Sequence, residues 1–265
     1  MTTARIPFIA WLVLVCGAPV LGQQLPVALA GITSTTVDRA GDFYATTNDG
    51  IYRFDSLGHH LDSVAVDAPV TLFDTGNGVR LLAYFRDKQE YAIYSPQLDE
   101  RQRLAIDSSF AISPFLVCAS GDYDVMILDA ADWSVKKVDT RRSVVTSEFT
   151  LDPSLTENAD FVFMREYLGF LFILDRDNGI LVFNRLGMKL RSLPAPGAPS
   201  FYFRGEELYY YSDGKLHFTD LYSLETRVQA VPSPCRDVVL GPGTAMLVTD
   251  EGLEFRSLAK TFLGR

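Results

Sequence analysis

The residues that could do chemistry are few and poorly grouped. Three histidines occur: His59, His60 and His217. His59 and His60 are adjacent, so in a strand their rings point to opposite faces. No third ligand stands at zinc spacing from them. Beside Gly58 they read as solvated turn residues. Asp175-Arg176-Asp177-Asn178-Gly179 has half the composition of a calcium loop. Such a loop needs oxygen ligands at alternate positions before its glycine and a bidentate Glu beyond it. Neither is here, and turn chemistry accounts for each residue. Ser, His and Asp all occur, but no G-x-S-x-G elbow presents a nucleophile. There is no glycine-rich phosphate loop and no C-x-x-C. The sequence therefore predicts no catalytic residue, no metal ligand and no cofactor.

Charge narrows the partners. The 265 residues carry 24 Lys and Arg against 33 Asp and Glu, a formal charge of −9. Nucleic-acid binding needs clustered cations to neutralise phosphates, so no nucleic-acid partner is expected. Hydrophobic residues make up 48% of the chain, enough for a sizeable core. The cysteines outside the N-terminal segment, Cys118 and Cys235, are too few for a disulfide framework. They read as two unbridged thiols.

The elements that hold these residues come from a repeat. Residues 41–64 read GDFYATTNDGIYRFDSLGHHLDSV, and residues 169–193 read GFLFILDRDNGILVFNRLGMKLRSL. In each, a glycine opens a short apolar strand. A turn ends in Gly50 or Gly179. Phe54 or Phe183 follows, then Gly58 or Gly187. Weaker copies run through 205–231 and 243–258, and two without the turn glycine through 91–106 and 125–138. Asp49-Gly50, Asn178-Gly179 and Asp213-Gly214 suit two-residue hairpin turns with positive φ. Each unit is then a meander with a dry inner part and a wet outer strand. One such sheet cannot bury both its faces, whereas a closed ring of them does.

Taking Phe54, Tyr94, Leu128, Phe183, Phe218 and Phe255 as landmarks gives a mean period of about 40 residues, the length of a four-stranded blade. The fold class expected is all-β: a six-bladed β-propeller closed by an N-terminal strand, Pro26-Val27-Ala28-Leu29-Ala30, in the last blade. That strand would pair with the chain around Glu254 to Leu258. One gap, between Leu128 and Phe183, is about 15 residues too long for the period. The excess falls within Thr140 to Asp160. Insertions in repeat folds gather on one face, often the binding face. Arg141, Arg142, Glu148, Asp152 and Glu157 are accordingly the candidate binding residues. A long outer strand over Val144 to Leu151, followed by a long connection, explains the same segment without function.

The pattern G-x-x-Y/F…D/N-G-I-x-x-F-D/N-x-x-G resembles the six-bladed propellers of the NHL and TolB-like kind, in particular exported propellers of Bacteroidota. It spans most of residues 33–259. The resemblance implies fold more than function, because propellers host binding, scaffolding and catalysis. Lactonase propellers hold a channel metal with a Glu, an Asn and an Asp from inner strands. Glu166 and Asp237 come nearest to that set here, and it does not assemble. The function expected is a binding or scaffold propeller outside the cytoplasm, engaging a protein or envelope partner through a loop-built face. A metal-dependent hydrolase or lyase of the lactonase type is the alternative.

The N-terminus reads as an export signal. One basic residue, Arg5, precedes an apolar run from Ile6 to Leu21, and small residues stand before Gln23. Residues 1–22 are expected to be removed, leaving a single domain over 23–265. The apolar run is shorter than the roughly 20 residues a spanning helix needs. Cys16 as a lipidation site follows Val15, where a small residue is wanted. The mature protein is expected to be a monomer, periplasmic or associated with the outer envelope.

Overall fold

The computed structural model describes residues 26–76 and 78–258. The expected export signal, the cleavage expected before Gln23, and Cys16 lie outside them. Blade one comprises β1 (Ser34–Val37), β2 (Phe43–Thr46), β3 (Gly50–Phe54) and β4 (His60–Ala65). Blade two comprises β5 (Leu72–Asp74), β6 (Leu81–Phe85), β7 (Glu90–Tyr94) and β8 (Glu100–Ala105). Blade three comprises β9 (Pro114–Ser120), β10 (Asp124–Asp129), β11 (Ser134–Asp139) and β12 (Val144–Thr150). Blade four comprises β13 (Phe161–Tyr167), β14 (Phe170–Asp175), β15 (Gly179–Phe183) and β16 (Lys189–Leu193). Blade five comprises β17 (Tyr202–Arg204), β18 (Glu207–Ser212), β19 (Lys215–Asp220) and β20 (Thr226–Ala230). Blade six holds β21 (Asp237–Leu240), β22 (Thr244–Thr249) and β23 (Gly252–Ser257). Every sheet is a sequential antiparallel meander. The only helices among the described residues are two short 3-10 turns, Arg86–Lys88 and Pro153–Leu155.

Burial follows the strand order. Second and third strands such as Leu81–Phe85, Phe170–Asp175 and Gly179–Phe183 are buried along most or all of their length. They are sandwiched between neighbouring blades, so both faces are apolar. Outer strands such as Val144–Thr150 and Thr226–Ala230 are largely exposed. Aromatic residues fill the gaps between blades. Phe54 of blade one meets Phe255 of blade six at 5.9 Å, and Tyr44 of blade one meets Phe73 of blade two at 5.6 Å. Phe149 of blade three meets Phe183 of blade four at 5.9 Å.

The D/N-x-x-G part of the repeat is a turn cap. Asp55 Oδ1 accepts from the amides of Leu57 and His59, at 2.8 and 2.9 Å. Asn184 Oδ1 does the same for Leu186 and Met188, both at 3.0 Å. Asp139 and Asp220 occupy the matching place after β11 and β19 and cap two amides each. The glycine that closes the motif is required by the neighbouring blade. A Cβ on Gly58 would stand 2.5 Å from the Phe255 ring, and one on Gly187 2.1 Å from that of Phe149.

Three expectations need correction. Of the three pairs expected in hairpin turns, only Asp213-Gly214 is a two-residue turn with both φ positive (49° and 75°), between the paired Ser212 and Lys215. Asn178 ends a three-residue loop closed by the Asp175 carboxylate, with Gly179 already paired to Asp175, and Asp49-Gly50 belongs to a four-residue loop organised by Thr47. Second, Leu128 lies on β10, a second strand, whereas the other landmarks lie on third strands. Val138 on β11 is the true equivalent. With 54, 94, 138, 183, 218 and 255 as landmarks the long gap disappears. The supposed insertion is a full outer strand plus a connection. Third, Val27 forms one bridge rather than a strand, and its partner is Leu253. Val27 donates to Leu253 at 2.8 Å and accepts from it at 2.9 Å. The rest of the segment packs on blade six through Val27 and Leu29.

Cys118 lies buried on β9 of blade three, and Cys235 precedes β21 of blade six. Both thiols are free, as expected of opposite blades.

Candidate functional site: the central belt and its mouth

The first strand of each blade runs in the same direction around the axis. Antiparallel meanders then place the turns after first and third strands on one face, here called the upper face. The turns after second strands, and the connections between blades, lie on the lower face. The upper ends of all six first strands surround one cavity of about 610 Å³. Its wall includes Val37 to Arg39, Thr75, Ala119, Arg165 to Gly169, Tyr202 to Gly205 and Leu240 to Pro242.

Below this mouth the first strands are tied by two polar groups of residues. In one arc, Arg165 of blade four reaches Asp74 of blade two at 3.1 Å and Thr75 at 2.9 Å. Asp74 also accepts from the amides of Gly76 at 2.8 Å and of Ala119, in blade three, at 3.1 Å. Thr75 donates to the Val37 carbonyl of blade one at 3.0 Å. Ser120 of blade three donates to Glu166 of blade four. Asp74 is 2% exposed and Arg165 13%. This is a buried ion pair whose remaining valences are met by hydrogen bonds, the condition under which such a pair is tolerated.

The other arc has a carboxylate without a cation. Asp237 of blade six accepts from the Tyr202 hydroxyl of blade five and, at 3.1 Å, from Thr35 of blade one. The Val238 amide donates to its other oxygen at 2.8 Å. Ser200 donates to the Tyr202 oxygen at 2.9 Å. Burial pushes the Asp237 carboxyl above the usual carboxylate range, against the lowering effect of the Tyr202 hydrogen bond. Burial, and then the charge of Asp237, push the Tyr202 phenol well up. Blades four and five are joined differently: Tyr167 stacks on Phe203 at 4.0 Å, and its hydroxyl donates to the Gly205 carbonyl at 2.8 Å.

Glu166 and Asp237 thus fall in different arcs, each with its own partner. No group of three His, Cys, Asp or Glu residues among the described ones is arranged to hold a metal ion. The calcium-like segment resolves the same way. Asp175 spends its carboxylate on the amides of Asp177 and Asn178 and on the Asn178 side chain, at 2.9 to 3.1 Å. His59 pairs with Asp55 at 2.8 Å on the surface, and His217 stacks flat on Tyr210 at 4.8 Å.

The five candidate binding residues are not brought together. Arg141 and Arg142 lie in the turn between β11 and β12, on the upper face. Glu148 sits on β12, 3.8 Å from Lys136. Asp152 caps the 3-10 turn at Pro153–Leu155 on the lower-face connection, and Glu157 follows it there. Asp74, Arg165, Tyr202 and Thr35 carry no local motif, since their partners come from other blades. Asp74 ends a first strand that is otherwise apolar, and Arg165 follows the apolar run Phe161 to Met164, whereas Thr35, among Ser34 and Thr36, offers no such signal.

No family model matches this chain, and no curated protein matches it in sequence. Solved structures do match in shape. The WD40 domain of Pan2 from Neurospora crassa aligns with a TM-score of 0.55 at 10% identity, over 86% of this chain and 76% of that one. A chain of the mitotic checkpoint complex gives 0.52 at 15% identity, covering 86% and 74%. A chain in the structure of BBS1N in complex with ARL6DN gives 0.51 at 13% identity, covering 83% and 76%. At these identities the likeness is one of fold. No helix among the described residues is long and apolar enough to cross a membrane.

Proposed function

We propose that this protein is a binding or scaffold propeller that engages a protein partner through its upper face. The observation that carries the reading is the mouth: one cavity of about 610 Å³ to which all six blades contribute a strand end. The polar residues beneath it are occupied with one another, so they hold the ring together. The loops around the rim are free to vary. Two of the propellers it resembles in shape come from structures described as complexes. The composition of residues 1–22 supports export, and the repeat supports kinship with NHL and TolB-like propellers. On this reading a single domain over residues 23–265 works outside the cytoplasm as a monomer, periplasmic or at the outer envelope.

The test is site-specific cross-linking in the native host. A photoreactive phenylalanine analogue replaces Leu168, 51% exposed at the mouth, or Ile112, 73% exposed on a lower-face connection. A discrete adduct from position 168 and none from position 112 is the expected result. Adducts from position 112 alone, or from neither, overturn the reading.

A further inference from the structure

We infer that a cleft on the upper face, between blades two and three, recognises an acidic peptide segment. This rests on the binding-propeller reading and names the chemistry of its partner. The cleft encloses about 750 Å³ and is lined by Val79, Arg80, Tyr94, Gln97, Arg101, Gln102, Tyr123 and Arg141, among others. No Asp or Glu is in its wall. That is unexpected on a chain with a formal charge of −9. Chance would line a cleft with the commoner sign.

Two of the three arginines, Arg80 and Arg141, are held by an aromatic ring rather than by a carboxylate. Arg141 lies over the Tyr123 ring at 3.8 Å, and Arg80 over the same ring at 5.1 Å. One aromatic ring thus orients two guanidiniums from different blades. Arg80 also donates to the Asp122 carbonyl. Neither Arg80 nor Arg141 makes an ion pair with any described residue. Arg101 pairs only at 3.3 Å with Asp99, and both are more than half exposed. Asp99 is shared between Arg101 and the Ser95 hydroxyl, which donates to it at 3.2 Å, and Asp139 pairs with Arg142 at 3.6 Å. Asp139 accepts from the amides of Arg141 and Arg142, at 2.9 and 3.0 Å. The geometry favours a peptide over a lone phosphate. A phosphate site converges backbone N–H groups on one point. Here planar forks suited to carboxylates are spread along an open cleft, with the amides of Gln97 and Gln102 able to meet a peptide backbone. The sequence singled out Arg141 for a different reason, and Arg80, Arg101 and Tyr123 not at all.

Binding of a fluorescent hexaglutamate peptide to the intact protein, followed by anisotropy at low ionic strength, tests the inference. Saturable binding is expected, weakening as salt rises. The neutral hexaglutamine peptide should not bind. R80Q/R141Q should lose at least tenfold in affinity, while R176Q on the lower face leaves it unchanged. Should the double variant fail to fold, phenylglyoxal modification of the unaltered protein gives the same answer: the peptide should slow labelling of Arg80 and Arg141 and not of Arg176. Absence of binding, equal binding by both variants, or unprotected arginines overturns the inference. So does displacement of the peptide by millimolar inorganic phosphate at constant ionic strength, which would reassign the cleft to phosphate. A cross-link at Leu168 without peptide binding would leave the binding-propeller reading intact and remove this one.

Discussion

The two arcs of the central belt solve one problem in opposite ways. Blades one to four are joined by a carboxylate with a cation, Asp74 with Arg165. Blades five, six and one are joined by a carboxylate with three hydroxyls and no cation, Asp237 with Tyr202, Thr35 and, through Tyr202, Ser200. The second arc is also where the chain closes on itself. Blade six has three strands, and its fourth place is held only by the bridge from Val27 to Leu253. In blade four the full strand β16 fills that place. The matched glycines show the equivalence: a Cβ on Gly179 would stand 2.4 Å from the Leu193 carbonyl, and one on Gly252 2.1 Å from that of Val27. A closed arc made by consecutive strands can carry a tight buried ion pair. The seam made by the chain's two ends carries a network of neutral donors.

The largest expected effect is on the first arc. Asp74→Ala leaves Arg165 buried without its carboxylate and frees the amides of Gly76 and Ala119. Removing one partner of a buried pair costs about 3–5 kcal/mol, a large share of the roughly 5–15 kcal/mol of a typical domain. Urea titration should show the midpoint falling by that equivalent. A shift under about 1 kcal/mol would mean that the pair behaves as a surface one and that the contrast between arcs is not energetic.

The seam comes next. A chain beginning at Ile32 lacks the Val27 bridge and the packing of Val27 and Leu29 on blade six. Both side chains are only half-buried, so the loss is about 2–3 kcal/mol, from the lower part of the range for buried aliphatics. The truncated protein should melt lower and aggregate more readily through the opened edge of β23. Melting like the untruncated chain would show that blade six stands on three strands alone.

The smallest effect has the opposite sign. The folded pKa of Asp237 is raised above its unfolded value. The cost of its charge is therefore absent below the ordinary carboxylate pKa and builds as pH rises through the raised one. Asp237→Asn keeps an acceptor for Tyr202 and Thr35 and removes that cost. At neutral pH the variant should be at least as stable as the wild type, because burial raises the Asp237 carboxyl and the variant has no charge to bury. Below the ordinary carboxylate range the two should converge. A variant that is less stable at neutral pH, with a gap that does not close in acid, would show Asp237 to be as structural as Asp74.

Much of the ring was readable in advance because its cause is local. Phe54 and Phe183 recur with Gly58 and Gly187 because blades one and four share an apolar third strand, an Asx-capped turn and a glycine against the neighbouring blade. Blade three was misread at Leu128 because its second strand, Val125 to Asp129, is as apolar as its third is polar, Lys136 and Lys137 interrupting β11. Apolarity alone cannot rank two buried strands. The candidate residues of the Thr140 to Asp160 segment inherited that error in counting. Arg141 still reached a cleft, through a turn whose Asp139 cap is itself part of the repeat.

What the sequence determined by itself is the blade: strand period, turn chemistry and the size of the unit are set within about 40 residues. What only the tertiary structure decided is everything that crosses between blades. Asp74 meets Arg165 and Thr35 meets Asp237 only after the ring has closed. The same holds for Arg80 and Arg141 on Tyr123, brought together by the packing of blade two on blade three. Local rules fix which strands form because the hydrogen bonds and turns join neighbours in the chain. They say nothing of which carboxylate will face which guanidinium, because that depends on the rotation of one sheet against the next.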